Sequence, residues 1–151
     1  MSPEQRLMMQ YVWECLENAG YAGENIKGSN TGIFMGCGPS GYTDLLRDMP
    51  VQAYSSTGMV PSVGSNRISY LMDWHGPSEP VETACSSSLV AVHRAIDAIH
   101  AGHCDQALAG GINLLLTPEP TSALPKPVCS VKMADAKPSP TKPMAMYAAR
   151  A

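Results

Sequence analysis

The sequence predicts an α/β layered fold. Thr31 to Cys37, short, apolar and bounded by glycines, reads as a buried strand, and 80–84 and 107–116 read as further strands. Between and before them lie stretches with apolar residues at helical spacing, at 7–19 and 89–99. Strands that alternate with helices are the pattern of a sheet covered by helices. No internal repeat interrupts it.

Each element has its own signals. Pro3 suits the first turn of a helix. Leu7, Met8, Tyr11, Val12, Cys15, Leu16 and Ala19 follow at helical spacing, and Gly20 is a natural stop. Gly28 to Asn30 read as a turn, and Thr31 to Cys37 as a buried strand. Tyr42 to Met49 predict a short helix. Thr57 to Tyr70 predict another, interrupted by Pro61 and Gly64. Gly76-Pro77-Ser78 marks a turn, Pro80 to Ala84 a short strand, and Leu89 to Ile99 a strongly apolar helix that ends near Gly102. Ala107 to Leu116 reads as a further strand.

Composition divides the chain. Among its 151 residues, 1–124 carry five basic and twelve acidic residues, while the last 27 carry five basic residues against Asp135 alone. Five of the 13 prolines also fall in those last 27 residues, at 125, 127, 138, 140 and 143. Proline at that density excludes a continuous helix or a central strand. On composition, 125–151 is expected to be a disordered tail.

A net charge of −3 gives no footprint for nucleic acid or an anionic membrane. The polar start, Met1-Ser2-Pro3-Glu4-Gln5-Arg6, does not resemble a signal peptide, and no run of eighteen apolar residues is present. The cysteines, at 15, 37, 85, 104 and 129, are odd in number and form no CxxC pair. They read as free thiols in a reducing cytoplasm rather than metal ligands or disulfides.

The chemistry concentrates in Val81-Glu82-Thr83-Ala84-Cys85-Ser86-Ser87-Ser88-Leu89. A strand enters a tight turn and an apolar helix leaves it. Cys85 therefore stands beside a helix N-terminus, where unpaired N–H groups and the positive end of the macrodipole favour thiolate over thiol. Ala84, Ser86 and Ser87 are small enough to admit a substrate. Such a thiolate is suited to forming a thioester. A buried cysteine that merely packs is the ordinary alternative for any single cysteine.

This segment resembles the active-site signature of β-ketoacyl synthases, specifically the ketosynthase domains of modular polyketide synthases. Further motifs follow in register over 1–124. Met1 to Leu7 with Trp13 to Tyr21 resemble the family's "DPQQR…WEALEDAGY" helix. Gly32 to Gly36 resemble "GVFVG", Ser65 to Tyr70 "ANRISY", Gly76 to Ser78 "GPS", and Cys104 to Asn113 "CDxALAGGVN". The resemblance implies a thiolase-like fold, built from two βαβαβαββ halves, of which 1–124 is part of the N-terminal half without its first strand.

The resemblance also implies a function. Cys85 accepts an acyl chain from a phosphopantetheine thioester on an acyl carrier protein, with no cofactor bound directly. Two histidines then assist decarboxylation of a malonyl-type carrier-protein thioester, and the carbanion condenses with the acyl group on Cys85. The family forms homodimers. Its histidine motifs, of the "HGTGT" and "KxNxGH" kinds, do not occur here, and His75, His93, His100 and His103 match neither. The chain as it stands is thus expected to lack condensing activity. A non-functional remnant with no independent activity is the alternative. A cysteine hydrolase is a weaker one, since no general base is placed for water.

The tail bears on that choice. Ketosynthases of this kind continue after the position of Leu124 with a string like "SKAGMLSxDGRCKTFDxxANGYVRGEG". A one-base shift restores it. Each shifted codon takes the last base of one residue's codon and the first two of the next. Methionine has a single codon ending in G, so Met133-Ala134 and Met144-Ala145 must each give glycine, and Met146-Tyr147 must give valine. With permitted codons elsewhere, 125–151 reads SKAGMLSEDGRCKTFSDKANGYVRGEG. The tail is accordingly expected to be translated from a shifted frame.

Overall fold

The computed structural model describes residues 1–21, 26–50 and 52–117 in full, and the backbone of 144–150. Helix α1, Pro3–Asn18, begins where Ser2 caps it: the Ser2 hydroxyl accepts from the Gln5 N–H at 3.4 Å, with Pro3 in the first turn. Its buried face is Gln5, Met8, Val12 and Leu16. The chain leaves through Gly20, whose φ of +76° suits glycine best. Strand β1, Thr31–Cys37, is buried along its whole length because it lies inside the sheet.

Helix α2 is the single turn Tyr42–Leu45, shorter than the 42–49 its sequence suggested. Helix α3 runs Pro61–Met72 rather than from Thr57. Proline fits the first turn but no later position, so Pro61 sets the start. Asp73 closes α3 in the left-handed region at φ 54°, a conformation that Asp tolerates better than most residues. Strand β2 is Ser78–Val81, two residues earlier at its start than 80–84. Pro80 is tolerated there because β2 is an edge strand. A 3₁₀ turn, Ala84–Ser86, leads into α4, Ser87–His100. Strand β3 is Gln106–Ile112 and β4 is Met144–Arg150.

The sheet order is β2-β1-β3-β4. β1 is parallel to both β2 and β3, with Gly36 opposite Val81 on one side and Gly111 on the other. β4 runs antiparallel to β3, with Ile112 opposite Met144. In chain order the elements are α1-β1-α2-α3-β2-α4-β3-β4; with α2 and α3 taken together as one helical connection, this is the pattern of a βαβαβαββ half after its first strand.

Residues 144–150 depart from the expected unstructured tail. They carry no proline and follow Pro143 with an apolar run, Met144 to Ala149, so they can pair with the free edge that β3 presents. The rest of the expected tail, 125–143 and 151, lies outside the described residues.

Alternation along the strands splits the core in two. Ile33, Met35 and Cys37 of β1, with Leu108 and Ile112 of β3, meet α1 and α3 through Met8, Val12, Leu16 and Ile68. Phe34, Val81, Ala107 and Ala109 face α4 through Ala91, Ala95 and Ala98. Alanines on α4 let that helix lie close to the sheet. No helix among the described residues is long and apolar enough to cross a membrane.

Ile33 is fully buried at the centre of the first cluster. Ile33→Ala is expected to lower stability by about 2–5 kcal/mol in urea denaturation. A loss well under about 1 kcal/mol would place Ile33 outside the core.

Candidate functional site

The strand-to-helix turn at Glu82–Ser88 is tied by its own hydroxyls. The Ser87 hydroxyl accepts from the Thr83 N–H at 2.9 Å and donates to the Ala84 carbonyl at 2.7 Å. The Ser86 hydroxyl reaches the Thr83 carbonyl at 2.7 Å and the Thr83 hydroxyl at 2.9 Å. These bonds hold Ala84 in the left-handed region, at φ 53°. That is an unfavourable conformation for alanine, of the kind that accumulates where a side chain must be presented.

The side chain presented is Cys85. It lies in the 3₁₀ turn immediately before α4, as the sequence predicted. Its strand, β2, ends at Val81, so Thr83 and Ala84, expected as strand, belong to the turn. Ser86 and Ser87, expected only to leave room for a substrate, are also the residues that brace it.

Cys85 opens on a cavity of about 640 Å³ at the C-terminal ends of β1 and β3. Gly36 to Pro39, Glu82, Ser87, Ser88 and Gly111 to Asn113 contribute to its wall. The carboxyl ends of parallel strands are where ligands bind in open α/β sheets. Sequence reasoning missed Cys37, Glu82 and Asn113 as cavity residues. Their signal is position alone, each being the residue that ends or follows a strand.

The described cysteines separate into two kinds. Cys85 is exposed, Cys37 and Cys104 are buried, and Cys15 is intermediate. Burial pushes the Cys37 thiol up, and the nearby carboxylates Glu82 and Glu4 push it further. Burial raises Cys15 as well. It also raises Cys104, where a bond from the Gly32 backbone works in the opposite direction and Asp105 adds to the rise. All three therefore hold their proton above the ordinary thiol range and are poor nucleophiles. Cys129 lies outside the described residues.

The histidines stand away from the cavity, whose wall includes none of them. His93 pairs with Asp97 on the outer face of α4, Nε2 to Oδ2 at 3.2 Å. His75 faces Asp73 at 3.5 Å. His100 closes the last turn of α4, where positive charge is favourable, and His103 follows it with its N–H bonded to the Ala98 carbonyl. Among the described residues no cluster of three His, Cys, Asp or Glu is arranged to hold a metal ion.

A family profile described as "Beta-ketoacyl synthase, N-terminal domain" matches residues 1–142. The chain belongs to the β-ketoacyl synthase family. It is 49% identical over 119 residues to polyketide synthase PksN of Bacillus subtilis (strain 168), covering 79% of this chain and 2% of that protein. It is 48% identical over 122 residues to the hybrid PKS-NRPS synthetase xenE of Xenoacremonium sinensis, covering 80% of this chain and 3% of the relative. Among solved structures it is similar to the ketosynthase from module 6 of the bacillaene synthase from Bacillus subtilis 168. The TM-score is 0.71 at 33% identity, over 81% of this chain and 20% of that one.

These findings support the α/β, thiolase-like architecture of a ketosynthase of modular polyketide synthases. The chain spans a few hundredths of its curated relatives and about a fifth of the solved ketosynthase domain. The profile match runs past residue 124 to 142, whereas the two curated relatives match over 119 and 122 residues.

Two outcomes follow. Limited iodoacetamide at neutral pH should label Cys85 well before Cys15, Cys37 and Cys104, as read by peptide mass mapping. Preferential labelling of Cys37 would contradict the geometry. The raised thiols also set a pH dependence. Between the ordinary value of 9.0 and their folded values, the folded chain binds more protons than the unfolded chain. Their contribution to stability is complete below that value and falls as pH rises through it. Urea midpoints should therefore drop on the alkaline side, and replacing Cys37 with Ala should shrink the drop.

Proposed function

We propose that the chain carries the nucleophile-bearing part of a polyketide ketosynthase and that Cys85 is its acyl-accepting residue. The observation that carries this reading is the braced turn. It presents the one exposed cysteine among the described residues at a helix N-terminus, over a cavity at the ends of parallel strands.

The Cys85 thiolate attacks the carbonyl of an acyl thioester held on the phosphopantetheine arm of an acyl carrier protein. A new C–S bond forms at Cys85, and the phosphopantetheine thiol leaves. The tetrahedral oxyanion between these states needs backbone donors, and the Cys85 N–H is one such group. In the intact enzyme, a malonyl-type thioester then loses CO₂. Its carbanion attacks the acyl carbon, and the Cys85 thiolate departs.

That second half-reaction needs the two histidines of the resembled family, and none of this chain's histidines lines the cavity. The residues of this chain supply the acyl-transfer half of the reaction, at Cys85. Its setting is a cytoplasmic synthase that dimerises in the intact family, with the acyl carrier protein as partner and neither nucleic acid nor membrane involved.

Incubation with an acyl N-acetylcysteamine thioester should add one acyl mass, mapped to Cys85 and absent from Cys85→Ser. A folded chain without the adduct would sink the assignment.

A second reading rests on the tail. The forced glycine, glycine and valine of the shifted frame fall in the DGRC and NGYVRG portions of the re-read string. They favour a boundary near Leu124, with 125–151 translated out of frame and the product a remnant of a larger synthase gene. The nucleotide sequence tests it. Codons that spell SKAGMLSEDGRCKTFSDKANGYVRGEG one base out of register are expected, and codons that cannot do so refute the shift. A chain that shows no cooperative thermal transition would favour the remnant over a working acyl acceptor.

A further inference from the structure

Two glycines face α4 from the sheet directly beneath the turn. Gly36 lies near the end of β1 and Gly111 near the end of β3, opposite each other in the ladder. Neither has room for a side chain. A Cβ at Gly36 would lie 2.9 Å from the Ser88 backbone nitrogen, 3.0 Å from the Ser87 carbonyl carbon and 3.1 Å from the Ser87 Cβ. A Cβ at Gly111 would lie 2.8 Å from the Ser88 Cβ and 3.5 Å from its Cα. The first turn of α4 thus sits in a saddle of two glycines, with Ser88 as the point of contact for both.

We infer that Gly36 and Gly111 are positioning residues for Cys85: the saddle sets the height of the α4 N-terminus above the sheet, and with it the place of the thiol in the cavity. Cys85 is three residues before Ser88, and the hydroxyl bonds of Thr83, Ser86 and Ser87 make the intervening turn stiff. A displacement at Ser88 is therefore passed to Cys85 rather than absorbed. Gly102, by contrast, has open space at its Cβ position and serves its own turn.

The two contacts differ in kind, which gives the inference a signature. The obstruction at Gly111 is mainly a side-chain atom, and removing the Ser88 Cβ relieves it. At Gly36 the nearest atoms are backbone, which no substitution at Ser88 removes. Gly36 and Gly111 contribute to the cavity wall, but their effect on Cys85 runs through Ser88.

The inference rests on Cys85 being the acyl acceptor, and the test separates the two. Gly36→Ala, Gly111→Ala, Ser88→Gly and the two double variants with Ser88→Gly are prepared in the full chain. Cys85 acylation by acyl N-acetylcysteamine thioester is followed by mass mapping, and iodoacetamide alkylation of Cys85 is measured in parallel. Circular dichroism melts report the fold.

Gly111→Ala should slow Cys85 modification on the order of tenfold or more. Gly111→Ala with Ser88→Gly should return to the rate of Ser88→Gly alone. Gly36→Ala should slow it similarly, with no return on adding Ser88→Gly. Folded glycine variants that react at the wild-type rate would overturn the inference, as would a folded Gly111 double variant that does not recover. Loss of cooperative melting in Gly111→Ala that Ser88→Gly fails to restore would also overturn it, since the effect would then lie outside the Ser88 contact. A wild-type chain that is alkylated at Cys85 but takes no acyl group would sink the acyl-acceptor reading alone, and the alkylation rates would still test the saddle.

Discussion

The close approach of α4 to the sheet is the constraint on which the site depends. A helix beginning above parallel strands usually rests on side chains. Here its first turn rests on backbone, because Gly36 and Gly111 offer nothing else. The rest of α4 keeps that height with Ala91, Ala95 and Ala98 on its buried face. A larger residue at either set of positions would lift the helix and separate Cys85 from the strand ends that form its cavity. Strands with interior glycines lose packing and backbone entropy. This sheet accepts that loss where the helix that follows Cys85 sits low.

The other face of the sheet supplies what the α4 face gives up. Met8, Val12, Leu16, Ile33, Met35, Ile68 and Leu108 form a core of large side chains between the sheet and helices α1 and α3. The α4 side is filled mostly with alanines around Phe34 and Val81. One layer thus anchors the strands while the other holds a helix against them with fine vertical control. The strained φ at Ala84 and the hydroxyl bonds of the turn then aim the cysteine outward.

Much of this was legible in the residues. Pro3 with the apolar spacing of 7–19 marked α1, glycines bounded β1, and the passage from Val81 to Leu89 placed Cys85 between strand and helix. The misses have physical causes. Pro61 reads as an interruption until it is recognised as a first-turn residue. Pro80 argues against a strand unless that strand lies at an edge. The pairing of β4 with β3 depends on an edge left free by the topology, which proline counts in the tail do not reveal. The roles of Gly36 and Gly111 required the third dimension, although glycine inside an apolar strand does hint at a close approach.

The proposed role of Cys85 as acyl acceptor depends on the fold and not on cysteine chemistry alone. The most direct measurement compares Cys85 acylation by an acyl thioester in the folded chain and in urea, referenced to a peptide spanning Glu82 to Leu89. The folded chain is expected to acylate Cys85 much faster than the peptide, with urea abolishing the advantage. Equal rates for folded chain, unfolded chain and peptide would contradict it.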